Sequence, residues 1–427
     1  MAPEHSVEDI RTEFKGWLEE FWDPDLTMRD WWARLADSGW AAPTWPEQWY
    51  GKSLSAKGAA VVREMLSEAS APGPPAGLGL MLAGPTIIAH GTDDQKRRYV
   101  RSILSGEEAW CQLFSEPGAG SDLASLQYRA IQDGDDWVIN GQKVWTSGGQ
   151  LADLGMLLAR TNPDAPKHTG VTYFAIDMDQ PGVEVRPLRE MTGRAMFNEV
   201  FFSDARAHRD SIIGGLNEGW AVALTTLANE RVALGGGGGA VGGMAGRKGG
   251  MLGLRAGDVG GRPARGRTGT AAAMGARGFE MLRRLGEQLG RNGDPIVRQK
   301  LAQLYTLDEI SRFTQLRARS VLAQGGRPGP EASTGKLQIS RITRLSRDLG
   351  MEILGPTGML HGADAPMNGA VQELALFSPA VSIYGGSDEV QHNIIGERVL
   401  GLPKEPATDK DVPFRDLKVG TQRSPAS

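Results

Sequence analysis

A glutamate at position 230 interrupts an otherwise apolar helical stripe, since Ala223, Leu227, Glu230 and Leu234 follow at intervals of four, three and four residues. A carboxylate placed this way is partly desolvated. That raises its pKa and suits it to take a proton and later release it. Helix geometry alone equally allows a glutamate paired with a buried arginine. Arg231 points about 100° away around the helix, so it is not automatically that partner.

Three further stretches carry residue types that hold ligands. In Cys111-Gln-Leu-Phe-Ser-Glu-Pro-Gly-Ala-Gly-Ser-Asp122, Gly118 and Gly120 let the backbone come close to a ligand, and Ser115, Ser121 and Asp122 supply short polar contacts. A phosphate or the edge of a flavin could sit there. The segment Gly141-Gln-Lys-Val-Trp-Thr-Ser147 and the late Tyr384-Gly-Gly-Ser-Asp-Glu-Val-Gln391 follow in that order.

The elements that must position these residues fall into three blocks. Up to Trp110 the apolar period is helical, over Val7 to Phe21, Met28 to Leu35, Ala56 to Ala69, Leu78 to His90 and Asp93 to Leu104. Prolines and glycines between Gly39 and Gly51 break the pattern, and the tryptophans there are expected to pack. After Trp110 the period becomes alternating, with Asn140-Gly141 read as a hairpin turn and strands at 154–159, 171–178, 183–188 and 199–203. Helices return from Asn217, through 294–323, 334–354 and 388–400. The pattern predicts an α+β chain: a helical domain at 1–110, a central antiparallel β-barrel or sandwich at 111–214, a C-terminal helical bundle at 215–403 and a mobile tail at 404–427.

Composition narrows the function. At 427 residues and 45.8 kDa, with a net charge of −4 and a pI near 6.0, the chain gives no electrostatic reason to bind nucleic acid or an anionic membrane. Cys111 is the one cysteine and the six histidines form no ligand-like pair, so neither a disulfide framework nor a metal site is expected. With no apolar signal core or membrane-length stretch in the sequence, a soluble cytoplasmic protein is the expectation.

Taken together, the three motifs and the helical, β, helical order resemble the acyl-CoA dehydrogenase family over about Val7 to Pro403. The resemblance implies an FAD enzyme that introduces an α,β-double bond into an acyl-CoA, passes electrons to an electron-transfer flavoprotein or similar acceptor, and forms a homo- or hetero-oligomer. It implies flavin contacts from Phe114, Ser115, Gly120, Ser121, Trp145 and Ser147, and from Ser387 and Gln391 at the start of the last helix. Many members carry the base directly after the tyrosine of the late motif, where this chain has Gly385, whose N–H remains available to the thioester oxygen. A second group, including isovaleryl-CoA dehydrogenases, carries it on the first long helix after the β-domain, and Glu230 matches that position. Arg231 matches an arginine near the acyl-CoA, and Ser121 is a further substrate contact. Branched, short-chain or ring-bearing acyl groups, such as steroid side chains, are the implied substrates. The competing readings are a non-catalytic partner subunit or flavin-free remnant of the same fold, and an oxidase or monooxygenase.

One region departs from the family. Between Gly235 and Gly278, 18 of 44 residues are glycine and seven are Lys or Arg, with Asp258 the one acid. Each interior glycine costs a helix on the order of 1 kcal/mol relative to alanine, so a continuous helix is not expected and the span reads as poorly ordered. The family's Arg-x-x-Phe-Gly segment has no clear match here, and Pro356 stands where the family has a glycine. A flexible insertion, a stretch in a shifted reading frame and an Arg/Gly-rich RNA-binding segment are the alternatives.

Overall fold

The computed structural model describes residues 6–235, 245–260, 278–323, 329, 333–404, 406 and 409–417. Its N-terminal part is built from α1 (Val7–Phe21), α2 (Met28–Ser38), α3 (Ala56–Glu68), α4 (Gly84–His90) and α5 (Asp93–Leu104). Local chemistry sets their ends. Ser6 and Asp9 form a capping box at α1, Thr92 and Gln95 form one at α5, and α2 stops at Gly39 with φ 82°. The apolar stripe Ile10, Phe14 and Leu18 is buried against tryptophans, and Trp31 seals the core by donating its indole N–H to the Pro72 carbonyl at 2.7 Å.

The central part is a seven-stranded sheet: β1 (Trp110–Leu113), β2 (Arg129–Asp133), β3 (Asp136–Ser147), β4 (Leu154–Arg160), β5 (Val171–Asp177), β6 (Val183–Leu188) and β7 (Phe197–His208). The order is β1-β4-β2-β3-β7-β6, with β5 on the other pairing of β4. Two points correct the sequence reading. The sheet is mixed rather than wholly antiparallel, because β1 pairs parallel with β4 and β2 meets β4 in parallel at Arg129 and Arg160. Asn140-Gly141 is not a turn but an irregularity within the single long strand β3. The hairpin turn is made instead by Gly134 (φ 65°) and Asp135. Asn140 spends its side chain on Asp204, and a Cβ at Gly141 would lie 2.7 Å from the Tyr128 ring.

The C-terminal part begins with α6 (Gly219–Gly235), followed by α7 (Gly278–Gln288), α8 (Pro295–Ala323), α9 (Ser333–Leu354), α10 (Ala370–Val381) and α11 (Asp388–Ile394). Leu282, Leu285, Leu304, Leu349 and Val371 form a second core between these helices. Helices α7 and α10 are additions to the sequence reading. Among the described residues, no helix is long and apolar enough to cross a membrane.

Two stretches expected to be loose are docked. Of the glycine-rich span, 236–244 and 261–277 lie outside the described residues, but 245–260 lies along α2 and the sheet. Met28 and Arg29 donate backbone N–H groups to Leu254 and Leu252, and Arg247 bonds the buried Asp153 at 2.9 Å. Most of the tail is likewise outside the described residues, whereas 409–417 is held: Phe414 is buried, its N–H bonds Ala165, and Asp409 pairs with Lys167 at 2.9 Å. Low apolar content misled here because a single aromatic anchor and backbone pairing suffice to fix a short segment.

Candidate active site

Helix α6 lies across β5, and Thr226 fixes its seat. The fully buried Thr226 hydroxyl is 3.0 Å from that of Thr86 on α4 and 3.4 Å from the Tyr173 hydroxyl on β5. One turn later on the same face stands Glu230, half-buried. The Gln112 amide on β1 donates to its Oε2 at 3.3 Å. Burial raises the Glu230 pKa, while the Gln112 hydrogen bond and the charge of Arg231 pull it down. Arg231 is half-buried, and its own pKa is lowered by burial and by Arg398 against the opposing pull of Glu230. Among the described residues the acid is therefore neither in bulk water nor locked in an ion pair. It is a desolvated carboxyl with one neutral donor, the state a proton acceptor requires.

The strand that carries Gln112 runs directly into the loop of Phe114, Ser115, Gly120 and Ser121. Its geometry is set by a buried ion pair that sequence reasoning missed. Lys143, fully buried on β3, donates to Glu116 Oε1 at 2.8 Å and to the Phe114 carbonyl at 3.0 Å. Glu116 also accepts the N–H groups of Gln127 at 2.7 Å and Tyr128 at 3.1 Å. The Lys143 pKa is lowered by burial, with Glu116 opposing. A lysine in the inward register of an apolar strand was the available signal, since a buried ammonium demands a paired acid. Phe114 is buried edge-on to Tyr173, and Ser115 accepts the Val144 N–H at 2.9 Å, which sets the loop beside Trp145. Gly120 and Ser121 are exposed, and a Cβ at Gly120 would meet nothing within 4 Å.

Trp145 sits in the register shift between Lys143 and Thr146, at φ 62°, with 61% of its surface exposed. A non-glycine residue held at positive φ with its indole turned outward is a costly arrangement for a residue that only packs. Ser147 follows, lining with Trp110, Leu78 and Gly79 a cavity of about 40 Å³, room for a water or two. Glu230 does not line this cavity.

The late turn is held from within. Gly385 and Gly386 have φ of 65° and 82°, Ser387 caps α11 by accepting the Val390 N–H, and Gln391 donates its amide to the Gly385 carbonyl at 3.0 Å and the Gly386 carbonyl at 3.3 Å. The donors of Gln391 thus serve its own turn, while its buried Oε1 has no partner among the described residues. Asp388 anchors the turn to α9 through Ser340 at 2.7 Å and Arg344 at 2.9 Å.

On the sheet side, exposed Trp145, the open side of Gly120 and the buried Thr146 hydroxyl, unpartnered among the described residues, leave a planar face, a small-residue approach and a spare polar atom; the Gln391 oxygen is a further spare atom on the separate late turn. That set fits a flavin dinucleotide.

Comparison with known proteins identifies the family. The chain matches the acyl-CoA dehydrogenase N-terminal domain over residues 7–107, its middle domain over 111–205 and its C-terminal domain over 263–400. The chain belongs to the acyl-CoA dehydrogenase family, oxidoreductases that act on the CH–CH bond of an acyl-CoA with FAD. It is 36% identical over 422 residues to acyl-CoA dehydrogenase IpdE1 of Mycobacterium tuberculosis, covering 93% of this chain and 98% of that one. It is 37% identical to FadE34 of the same organism over 87% of this chain and 46% of that longer one. Among solved structures, the Tcur3481-Tcur3483 steroid ACAD aligns with a TM-score of 0.69 at 25% identity, over 93% of this chain and 98% of that one. The ChsE4-ChsE5 complex of Mycobacterium tuberculosis aligns at 0.67 and 28%, over 95% and 100%.

Proposed function

We propose that Glu230 is the base of this acyl-CoA dehydrogenase. The observation that carries it is the half-buried Glu230 carboxyl held by Gln112 at the point where β1 enters the ligand loop. Glu230 would take the α-proton of the acyl thioester onto a carboxylate oxygen, leaving the electron pair of the α C–H bond to form the double bond as the β-hydrogen departs with its own pair. Flavin, when bound, supplies the hydride acceptor. Phe114, Ser115, Gly120, Ser121, Trp145 and Ser147 would hold it on the sheet side, with Ser387 and Gln391 shaping the turn at its other end. The N–H of Gly385 is assigned to the thioester oxygen, a role that needs only backbone, and Arg231 and Ser121 to the acyl-CoA.

The substrate class we favour is a ring-bearing acyl-CoA, supported by the likeness to a structure described as a steroid ACAD. The same likeness, and that to the ChsE4-ChsE5 complex, support a hetero-oligomer as the working form. An electron-transfer flavoprotein is the proposed acceptor, the cytoplasm the proposed compartment, and 1–110, 111–214 and 215–403 the proposed domains.

The test is anaerobic flavin bleaching by an acyl-CoA panel. Wild-type protein bleaches, and Glu230→Gln keeps its yellow flavin and does not. Bleaching of the variant at the parent rate moves the base elsewhere.

A further inference from the structure

A helix ends on carbonyls that lack a backbone partner, and at the end of α10 the carbonyl that bears on the site is that of Val381, its last residue. Continued for one more residue, the helical pattern of bonds four residues back would give that carbonyl the N–H of Gly385. The pattern stops just short. Tyr384 donates its N–H to Ala380 at 3.0 Å, whereas the Gly385 N–H donates to none of the described residues. The Val381 carbonyl must be satisfied by some other donor, because it is buried.

That donor comes from α9, where Lys336, Ser340 and Arg344 follow at intervals of four and face the late turn. The Lys336 ammonium, on a side chain 6% exposed, donates to the Val381 carbonyl and, at 3.4 Å, to Asp388 Oδ1. Val381 closes α10 and Asp388 opens α11, so one buried cation ties both ends of the turn 382–387. Burial lowers the Lys336 pKa, and Asp388 opposes it. Asp388 does not depend on the lysine, since Ser340 donates to it at 2.7 Å and Arg344 at 2.9 Å. Val381 does. The Ser340 hydroxyl stands 3.2 Å from its carbonyl, but the hydroxyl's proton is spent on Asp388. Gln391 serves the carbonyls of Gly385 and Gly386 in the same manner. Side chains thus take the acceptors of the turn, and the Gly385 N–H stays out of backbone pairing.

We infer that Lys336 is a positioning residue for the dehydrogenation: by holding the Val381 carbonyl it keeps the Gly385 N–H available to the thioester oxygen, where negative charge gathers as the α-proton leaves. This rests on the assignment of Gly385 to that oxygen. Without the ammonium, the buried carbonyl is left to draw in the donor that the helical pattern offers it, which is the same Gly385 N–H.

The experiment uses FAD-loaded Glu230→Gln protein, with and without Lys336→Met, and cyclohexylpropanoyl-CoA carrying a heavy isotope at its carbonyl carbon. Infrared difference spectroscopy reads the thioester C=O stretch, which falls when the oxygen accepts a hydrogen bond. With Lys336 present the stretch is expected to lie below that of free acyl-CoA, and with methionine to return towards the free value. In protein that retains Glu230, Lys336→Met is expected to lower kcat by about tenfold or more while KM moves less. A lysine needed only for folding would lower the melting temperature and the flavin content but leave the stretch of bound acyl-CoA where it was. A lowered stretch that Lys336→Met does not move overturns the role of Lys336 and leaves that of Gly385 standing. A stretch equal to the free value even with Lys336 present overturns both. Should the methionine variant not fold, Lys336→Gln, whose shorter amide does not reach the Val381 carbonyl, is read in the same way.

Discussion

The Gln112 amide stands 3.3 Å from the Glu230 carboxylate and joins β1 to α6 across 118 residues of sequence. A neutral donor favours the ionised acid without neutralising it, and so works against the burial that raises the Glu230 pKa. Replacing Gln112 by Leu removes that donor. The acidic limb of kcat/KM against pH is expected to move to higher pH, because the carboxylate is the active form and becomes harder to make. Above the limb the rate returns towards the parent value. Flavin reduction rates across the pH range check this, and an unmoved limb counts against the contact.

The same burial makes Glu230 a stability cost. Its folded pKa lies above the ordinary value of 4.5, so below that value both folded and unfolded states are protonated and no penalty exists. As pH rises through the folded pKa, the folded state must ionise a desolvated acid and loses stability relative to the unfolded chain. Glu230→Gln is therefore expected to raise the melting temperature at about pH 8, by a stabilisation on the order of 1 kcal/mol, and to lose that advantage towards about pH 4. Thermal melts of both proteins at the two pH values decide the sign.

Much of this was legible in the sequence where a period or a motif spoke for itself. Helical spacing gave α1, α5, α8 and α9 nearly to the residue, and the stripe broken by Glu230 singled out the carboxylate that Gln112 meets. The parallel pairing of β1 with β4 was not legible, because alternation reports which face a residue occupies and not the direction of its neighbour. Asn140-Gly141 misled because positive φ is required in a bulge as well as in a turn. Gln112 stood inside a recognised motif without distinction, since its importance lies in what faces it from α6.

The Glu116 and Lys143 pair invites a double-mutant cycle. Lys143 is fully buried and Glu116 nearly so, and between them they fix the Phe114 carbonyl and the N–H groups of Gln127 and Tyr128. Lys143→Met leaves a buried carboxylate uncompensated, an expected loss of about 3–5 kcal/mol. Glu116→Gln combined with Lys143→Met removes both charges and should recover part of that loss. Urea unfolding of the four proteins measures the coupling, and strictly additive losses would show that the pair does not act as a unit.

Phe414 closes the far side of the same loop. Its ring lies 3.6 Å from the Arg160 guanidinium, which donates to the carbonyls of Ala124 at 2.7 Å and Leu126 at 3.2 Å and whose pKa burial lowers to about 10. Removing the ring opens Arg160 to water and loosens the carbonyls it holds, which belong to the segment that Glu116 pins from the opposite end. Phe414→Ala is expected to cost about 2–4 kcal/mol, from lost burial and the cation–π contact together. Phe414→Leu keeps most of the area and loses the aromatic face, so it should cost less. Because the strain passes into the loop that leads back to Ser121, FAD affinity should fall in the same order as stability. Fluorescence titration of apoprotein with FAD tests this, and an alanine variant that is destabilised yet binds FAD as the wild type does would confine Phe414 to a purely structural role.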